Sequence, residues 1–250
     1  MSRLRRCSRL ADSYLIETVA ETGSTSSDLA ARLVSGERVS EGCWLVATRQ
    51  SAGRGRLGRV WSDGSGNFMG STSVRIMPGD PAPSSLALVA GLAVQAAVSR
   101  HIPLPARALL KWPNDVLVAG AKLAGILLER VGDAVVVGIG VNLAQAPQVP
   151  GRETMALACY GPAPGLDEFA HTLAVCFAEE LQRWRSYGLG PLLQRWQAAA
   201  HPLGTPLSVV QPDGTLLTGT FAGLAEDGAL RLALPDGTTR SIHAGEVLLA

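Results

Sequence analysis

Lysine is nearly missing from this sequence. Of 22 cationic residues only Lys111 and Lys122 are lysines, and the rest are arginines. Asparagine is almost as scarce, confined to Asn67, Asn114 and Asn142. A GC-rich coding sequence suppresses the codons of both, and under that bias an ordinary surface cation drifts to arginine. A lysine that persists marks a place where a compact, mobile ammonium is wanted rather than a planar guanidinium fork. Both lysines fall between positions 111 and 122, which points to a site before any motif is considered.

Other absences narrow the function classes. Twenty-two cations against 21 anions leave a net charge of +1, too little for a bulk electrostatic grip on nucleic acid or anionic lipid. No apolar run approaches the roughly 20 residues of a membrane span. The basic start, Met1 to Arg9, is followed by Ala11-Asp12-Ser13-Tyr14 where a signal peptide needs an apolar stretch, so a cytoplasmic protein is expected. Cys7, Cys43, Cys159 and Cys176 form no CxxC pair and no metal-like spacing with histidine, and read as free, mostly buried thiols. What is present is apolar: 47% hydrophobic and 17% charged residues over 250 positions suit one α/β domain with a small appendage.

Hydrophobic patterning predicts strands over 14–19, 43–48, 67–76, 108–112, 115–118, 122–130 and 134–143. Helical spacing covers 28–34, 84–101, 167–184 and 191–200, with a polar turn over 21–27. After Pro202 the pattern changes to short β pieces between Pro-Asp-Gly (212–214), Glu-Asp-Gly (226–228) and Pro-Asp-Gly (235–237), which are hairpin signals. The expected division is a domain over 1–202 and a small all-β barrel over 203–250.

Residues 50–66 lack periodicity, and a loop of that length inside a compact domain is usually functional. Gly53-Arg-Gly-Arg-Leu-Gly58 satisfies GxGxxG literally, but loop rather than an apolar helix follows, so the dinucleotide reading fails. What remains is Arg54, Arg56 and Arg59 alternating with glycines, a pattern suited to a phosphate or carboxylate. Gln50 adds an amide and Trp61 a face for stacking. In Lys111-Trp-Pro-Asn-Asp115, polar groups interrupt apolar strands, and Pro113 marks an edge, bulge or break. Lys111 and Asp115 could form a plain ion pair; the functional reading is a cation aimed at developing negative charge.

Together, Gln50-Ser-Ala-Gly-Arg-Gly-Arg-Leu-Gly-Arg59, Lys111-Trp-Pro-Asn-Asp115, Lys122-Leu-Ala-Gly-Ile126, Gly138-Ile-Gly-Val-Asn142 and Gly23-Ser-Thr25 resemble the biotin protein ligase family. The order and spacing fit over about residues 14–145, and the terminal β module also matches. The resemblance implies an α/β (α+β) fold: a class II aminoacyl-tRNA-synthetase-like catalytic domain followed by an SH3-like β-barrel. It implies ATP and magnesium, with biotin as substrate. Biotin is activated to biotinyl-5′-AMP and transferred to a lysine of a biotin carboxyl carrier domain of acetyl-CoA carboxylase or a related carboxylase. A monomer or homodimer is expected, with no membrane partner.

Carried over position by position, the resemblance puts Ser24, Thr25, Ser26 and Gln50 at the biotin head. Arg54, Gly55 and Arg56 belong to the loop that closes over the valerate carboxylate and α-phosphate. Lys122 and Arg56 take the catalytic roles, Lys122 at the biotin carboxylate and bridging phosphate. Lys111 is expected at ATP phosphates, Trp61 against adenine, and Arg59, Asn114, Asp115 and Asn142 along the nucleotide. No metal ligand is assigned.

Two positions depart from the family pattern: Ser26 stands where asparagine is usual, and Leu57 where the loop commonly carries arginine. Some members begin with a DNA-binding helix-turn-helix. Here the first predicted strand begins at Tyr14, so no repressor function and no nucleic-acid partner are expected. The alternatives are a lipoate or octanoate ligase or transferase of the same fold, and a non-catalytic nucleotide-binding module.

Overall fold

The computed structural model describes residues 15–62 and 64–249; Cys7, Tyr14 and the basic start lie outside the described residues. Seven strands form one mixed sheet in the order β1-β2-β3-β7-β6-β5-β4. They are β1 (Ile16–Thr22), β2 (Trp44–Gln50), β3 (Phe68–Arg75), β4 (Ala108–Lys111), β5 (Asp115–Val118), β6 (Ala121–Val131) and β7 (Ala134–Val141). Only the β1–β2 pair is parallel, and α1 (Thr25–Val34) makes its crossover. From β4 to β7 the chain is a meander, as Ala119-Gly120 with φ of 50° and 83° and the Gly132 turn allow.

One sheet face is covered by α2 (Leu86–Ser99), α3 (Leu166–Tyr187) and α4 (Leu189–Ala199), and together they build the main core. The buried run Ala134–Val141 has no polar face, as expected of a strand covered on both sides. On the other face α1 seals a smaller cluster, Leu29, Leu45 and Val136, and leaves the rest of that face for a cavity. Helix α1 starts three residues earlier than the sequence pattern predicts. Ser24 is its N-cap, and the Asp28 N–H already reaches the Ser24 carbonyl at 3.0 Å, so Thr25 and Ser26 occupy a buried first turn rather than a free loop.

The last five strands, β8 (Pro206–Val210), β9 (Leu216–Leu224), β10 (Leu230–Ala233), β11 (Thr239–Ile242) and β12 (Glu246–Leu249), form a separate antiparallel sheet, β11-β10-β9-β8-β12. Its turns follow the Asp-Gly signals. Asp213, Asp227 and Asp236 each accept the N–H two residues on, at 2.9 to 3.0 Å, and Gly214, Gly228 and Gly237 take φ near 85°. This unit shares the main core through Leu207, Phe221 and Leu230. The Trp112 indole N–H also bonds the Gly228 carbonyl at 3.1 Å.

The thiols need correction. Among the described residues only Cys176 is buried; Cys43 is half-buried and Cys159 exposed, because Cys159 sits in a short helical turn on the surface. No helix among the described residues is long and apolar enough to cross a membrane.

Candidate active site

A cavity of about 610 Å³ opens between the free sheet face, the loop after β2, the segment after β7 and the edge of the C-terminal sheet. Every site residue named from the sequence lines it, from Ser24 to Asn142. The segments that carry them are far apart in the chain. The sheet order brings them together by placing β6 and β7 beside β3 and β5.

One end is neutral and polar. Gln50 closes β2, and its Oε1 accepts from both the backbone N–H (2.8 Å) and the hydroxyl (3.0 Å) of Thr25. Ser71, in the middle of β3, bonds the hydroxyls of Thr25 and Ser26 at 2.7 and 2.9 Å. All four side chains are buried. They stand at the N-terminus of α1, where a cluster of hydroxyls and an amide suits a ligand rich in amide oxygen and nitrogen. A Cβ on Gly138 would collide with the Ser26 hydroxyl, so this glycine makes room for the network. Ser71 was not among the predicted residues; a serine in an otherwise buried strand is the signal that could have found it.

The other end is cationic. Lys111 and Asp115 face each other across the β4–β5 hairpin, whose turn holds Pro113, and Lys122 reaches in from the start of β6. Asp115 takes Lys122 Nζ at 2.5 Å on Oδ1 and Lys111 Nζ at 3.7 Å on Oδ2. The ion pair and the shared site are thus one arrangement: two nearly buried ammonium groups share one carboxylate. Burial pulls the Lys111 pKa down; Asp115 opposes this, while Arg152 and Lys122 push the same way as burial. Burial likewise lowers Arg56. An arriving anion would relieve both.

Between the ends lies a flat floor. Gly125 and Gly140 pair across β6 and β7, and the Trp61 indole lies against both. A Cβ on Gly140 would stand 2.6 Å from the indole Nε1 and closer still to two ring carbons. Lys122 Nζ sits 5.7 Å from the centre of the indole ring system. Two lining polar atoms have no hydrogen-bond partner among the described residues: Trp61 Nε1, a donor, and Asn142 Oδ1, an acceptor. Asn142 spends its amide nitrogen on the carbonyls of Lys122 (3.4 Å) and Met155 (3.1 Å). Such atoms are costly to leave unmet and mark where a ligand group belongs.

The loop is more ordered than its composition suggests: an Arg54–Val60 bridge closes it and residues 56–58 make a tight turn. Its arginines diverge. Arg54 bonds Ser27 Oγ (2.8 Å) and Glu129 (3.0 Å), Arg56 bonds Asn114 Oδ1 (3.2 Å), and Arg59 pairs with Glu246. Leu57, the departure from the family pattern, stands mostly in solvent with φ 57°. Arg152 and Glu246 also line the cavity and were missed, since nothing in their local sequence resembles a motif. For a metal held by protein groups the donor set does not fit. No group of three His, Cys, Asp or Glu side chains gathers among the described residues, and Asp115 is already matched by two ammonium ions.

Residues 24–143 match the biotin/lipoate A/B protein ligase family, and residues 203–249 match the biotin protein ligase C-terminal domain. The chain is 40% identical to a biotin–[acetyl-CoA-carboxylase] ligase of Paracoccus denitrificans, over 92% of this chain and 98% of that one. The chain belongs to the biotin protein ligase family. A second relative of the same name, from Mycobacterium tuberculosis, is 36% identical over 93% of this chain and 88% of that one. The biotin protein ligase of Aquifex aeolicus, solved in complex with biotin and ATP, superposes with a TM-score of 0.80 at 28% identity, covering 94% and 98% of the two chains. In family terms the seven-stranded unit is the class II aminoacyl-tRNA-synthetase-like catalytic domain, and the terminal sheet is SH3-like.

Proposed function

We propose that this biotin protein ligase activates biotin with ATP in this cavity and hands the biotinyl group to a lysine of a carrier domain. The observation that carries the reading is the pairing of a hydroxyl-and-amide end with two buried lysines sharing Asp115, inside a volume suited to a small ligand of this size. The ureido ring of biotin would meet Ser24, Thr25, Ser26 and Gln50, and its carboxylate would point along the glycine floor to Lys122. A carboxylate oxygen then attacks the α-phosphate, forming the mixed anhydride biotinyl-5′-AMP as pyrophosphate leaves. Negative charge builds where Lys122, Lys111 and Arg56 converge, so catalysis rests on positioning and electrostatic stabilisation and needs no enzyme nucleophile.

In the second step the amine of the carrier lysine attacks the anhydride carbonyl. The amide forms, AMP leaves, and the amine gives up its proton. Trp61 and Asn142 would use their unpaired atoms toward the nucleotide side. Magnesium enters with ATP as its counter-ion, as part of the substrate. A biotin carboxyl carrier domain as acceptor and a cytoplasmic setting belong to the same reading.

Exchange of labelled pyrophosphate into ATP tests it. Exchange that requires biotin and ignores lipoate is expected. Exchange driven by lipoate alone, or none with either acid, would overturn the proposal.

A further inference from the structure

The loop over the cavity is fastened to a different domain. Arg59 Nη1 donates to Glu246 Oε1 at 2.6 Å, and Arg59 Nη2 pairs with Glu246 Oε2, a two-pronged guanidinium–carboxylate contact. Arg152, from the segment after β7, donates to the same Glu246 Oε1. Beside it, Arg56 Nη2 reaches the Gly245 carbonyl at 3.5 Å. Three pieces of chain therefore meet at one carboxylate: the loop before β3, the segment 145–154, and the first residue of β12.

Glu246 is three-quarters buried, and its pKa lies below the ordinary glutamate value chiefly because of the Arg59 hydrogen bonds. At the base of the loop Arg54 bonds Ser27 and Glu129 and Arg56 bonds Asn114, while the segment 57–60 meets the rest of the protein through Arg59. Leu57 and Val60 are 78% and 85% exposed, and Leu57 takes a left-handed backbone that L side chains rarely adopt. The contact also shapes the cavity's charge. Arg54, Arg56, Arg59, Arg152, Lys111 and Lys122 line it against the carboxylates Asp115 and Glu246, and Glu246 is the carboxylate that the C-terminal domain contributes among the described residues.

We infer that Glu246 is a positioning residue: it clasps the loop and the 145–154 segment shut across the domain boundary and fixes Arg59 and Arg152 at the rim of the site. This rests on the ligase reading for its consequence, retention of a reactive anhydride, but the clasp itself can be tested without any ligand. The barrel is then a structural part of the site's closure and more than an appendage.

Trypsin provides the probe, since the loop presents cleavage sites at Arg54, Arg56 and Arg59 while Arg231 and Arg240 report on the barrel. In the intact chain without ligands, E246Q should be cut in the loop about ten times faster than wild type, with cuts after Arg231 and Arg240 unchanged. R59Q removes the same bridge without touching the barrel, and it should speed cleavage after Arg54 and Arg56 by a similar factor. In E246Q/R59Q the two effects should not add, because they remove one contact. Loop cleavage within twofold of wild type in R59Q, or additive acceleration in the double variant, overturns the clasp. With wild type active in pyrophosphate exchange, E246Q should also release biotinyl-AMP about tenfold faster. A wild type that exchanges nothing would sink the ligase reading while leaving the cleavage result to judge the clasp.

Discussion

Replacing Lys122 with alanine separates chemistry from architecture in this site. Its ammonium is 14% exposed, 2.5 Å from Asp115, and held at a fixed height because the Lys122 backbone is bonded on both sides, to Glu153 and Met155. In the proposed reaction a charge so prearranged meets the developing oxyanion, an interaction worth about 10²–10³ in turnover, or roughly 2.7–4 kcal/mol. Removing it also leaves Asp115, 8% exposed, with only Lys111 at 3.7 Å. That loss of the nearer partner should destabilise the fold by about 1–3 kcal/mol, less than for a wholly unpaired buried charge. For a chain of this size each kcal/mol lowers Tm by roughly 2–4 °C. The assay is biotin-dependent pyrophosphate exchange beside thermal unfolding, on K122A and on K122A/D115N. The second change neutralises the stranded carboxylate and should recover most of the lost Tm while exchange stays at least about a hundredfold down. If the double variant recovered exchange along with stability, Lys122 would be no more than the partner of Asp115 and the electrostatic argument would fail.

Further outcomes follow from single contacts. Gly140→Ala should lift the Trp61 indole from its floor, seen as a shift in tryptophan emission together with weaker binding of both substrates; unchanged emission would contradict the packing. Because burial lowers the Lys111 pKa, its charge is lost at a pH below the ordinary lysine value of 10.5. The folded state favours the neutral amine, so this group's contribution to stability grows as pH rises, while the KM for ATP should climb over the same range. K111R, which keeps its charge, should move that climb to higher pH, and an unmoved alkaline limb would argue against Lys111 meeting phosphate. Glu180, 4% exposed, takes both Arg195 Nη atoms at 2.5 Å and ties α3 to α4 away from the cavity. Arg183 also bonds Glu180, at 2.7 Å; E180Q should lower stability by about 1 kcal/mol, since both arginines are nearly half exposed, and leave exchange kinetics as in wild type.

Much of this protein is written locally. The Asp-Gly turns, the glycine-interrupted strands and the scarcity of lysine are properties of neighbouring residues, and each leaves its mark within a few positions. Backbone geometry at a turn needs only the turn residues, and a rare ammonium stands out against arginines by its chemistry alone. What required the folded chain was convergence. Ser71 joined the polar network of Thr25, Ser26 and Gln50 only once β3 lay beside α1, and Gly125 met Gly140 only through the β6–β7 register. Glu246 and Arg152 sit in unremarkable sequence, 94 positions apart, and acquire meaning because two domains close on one another. Charges attract through space and take no account of chain order, so a contact of that kind is settled by tertiary packing and by nothing nearer.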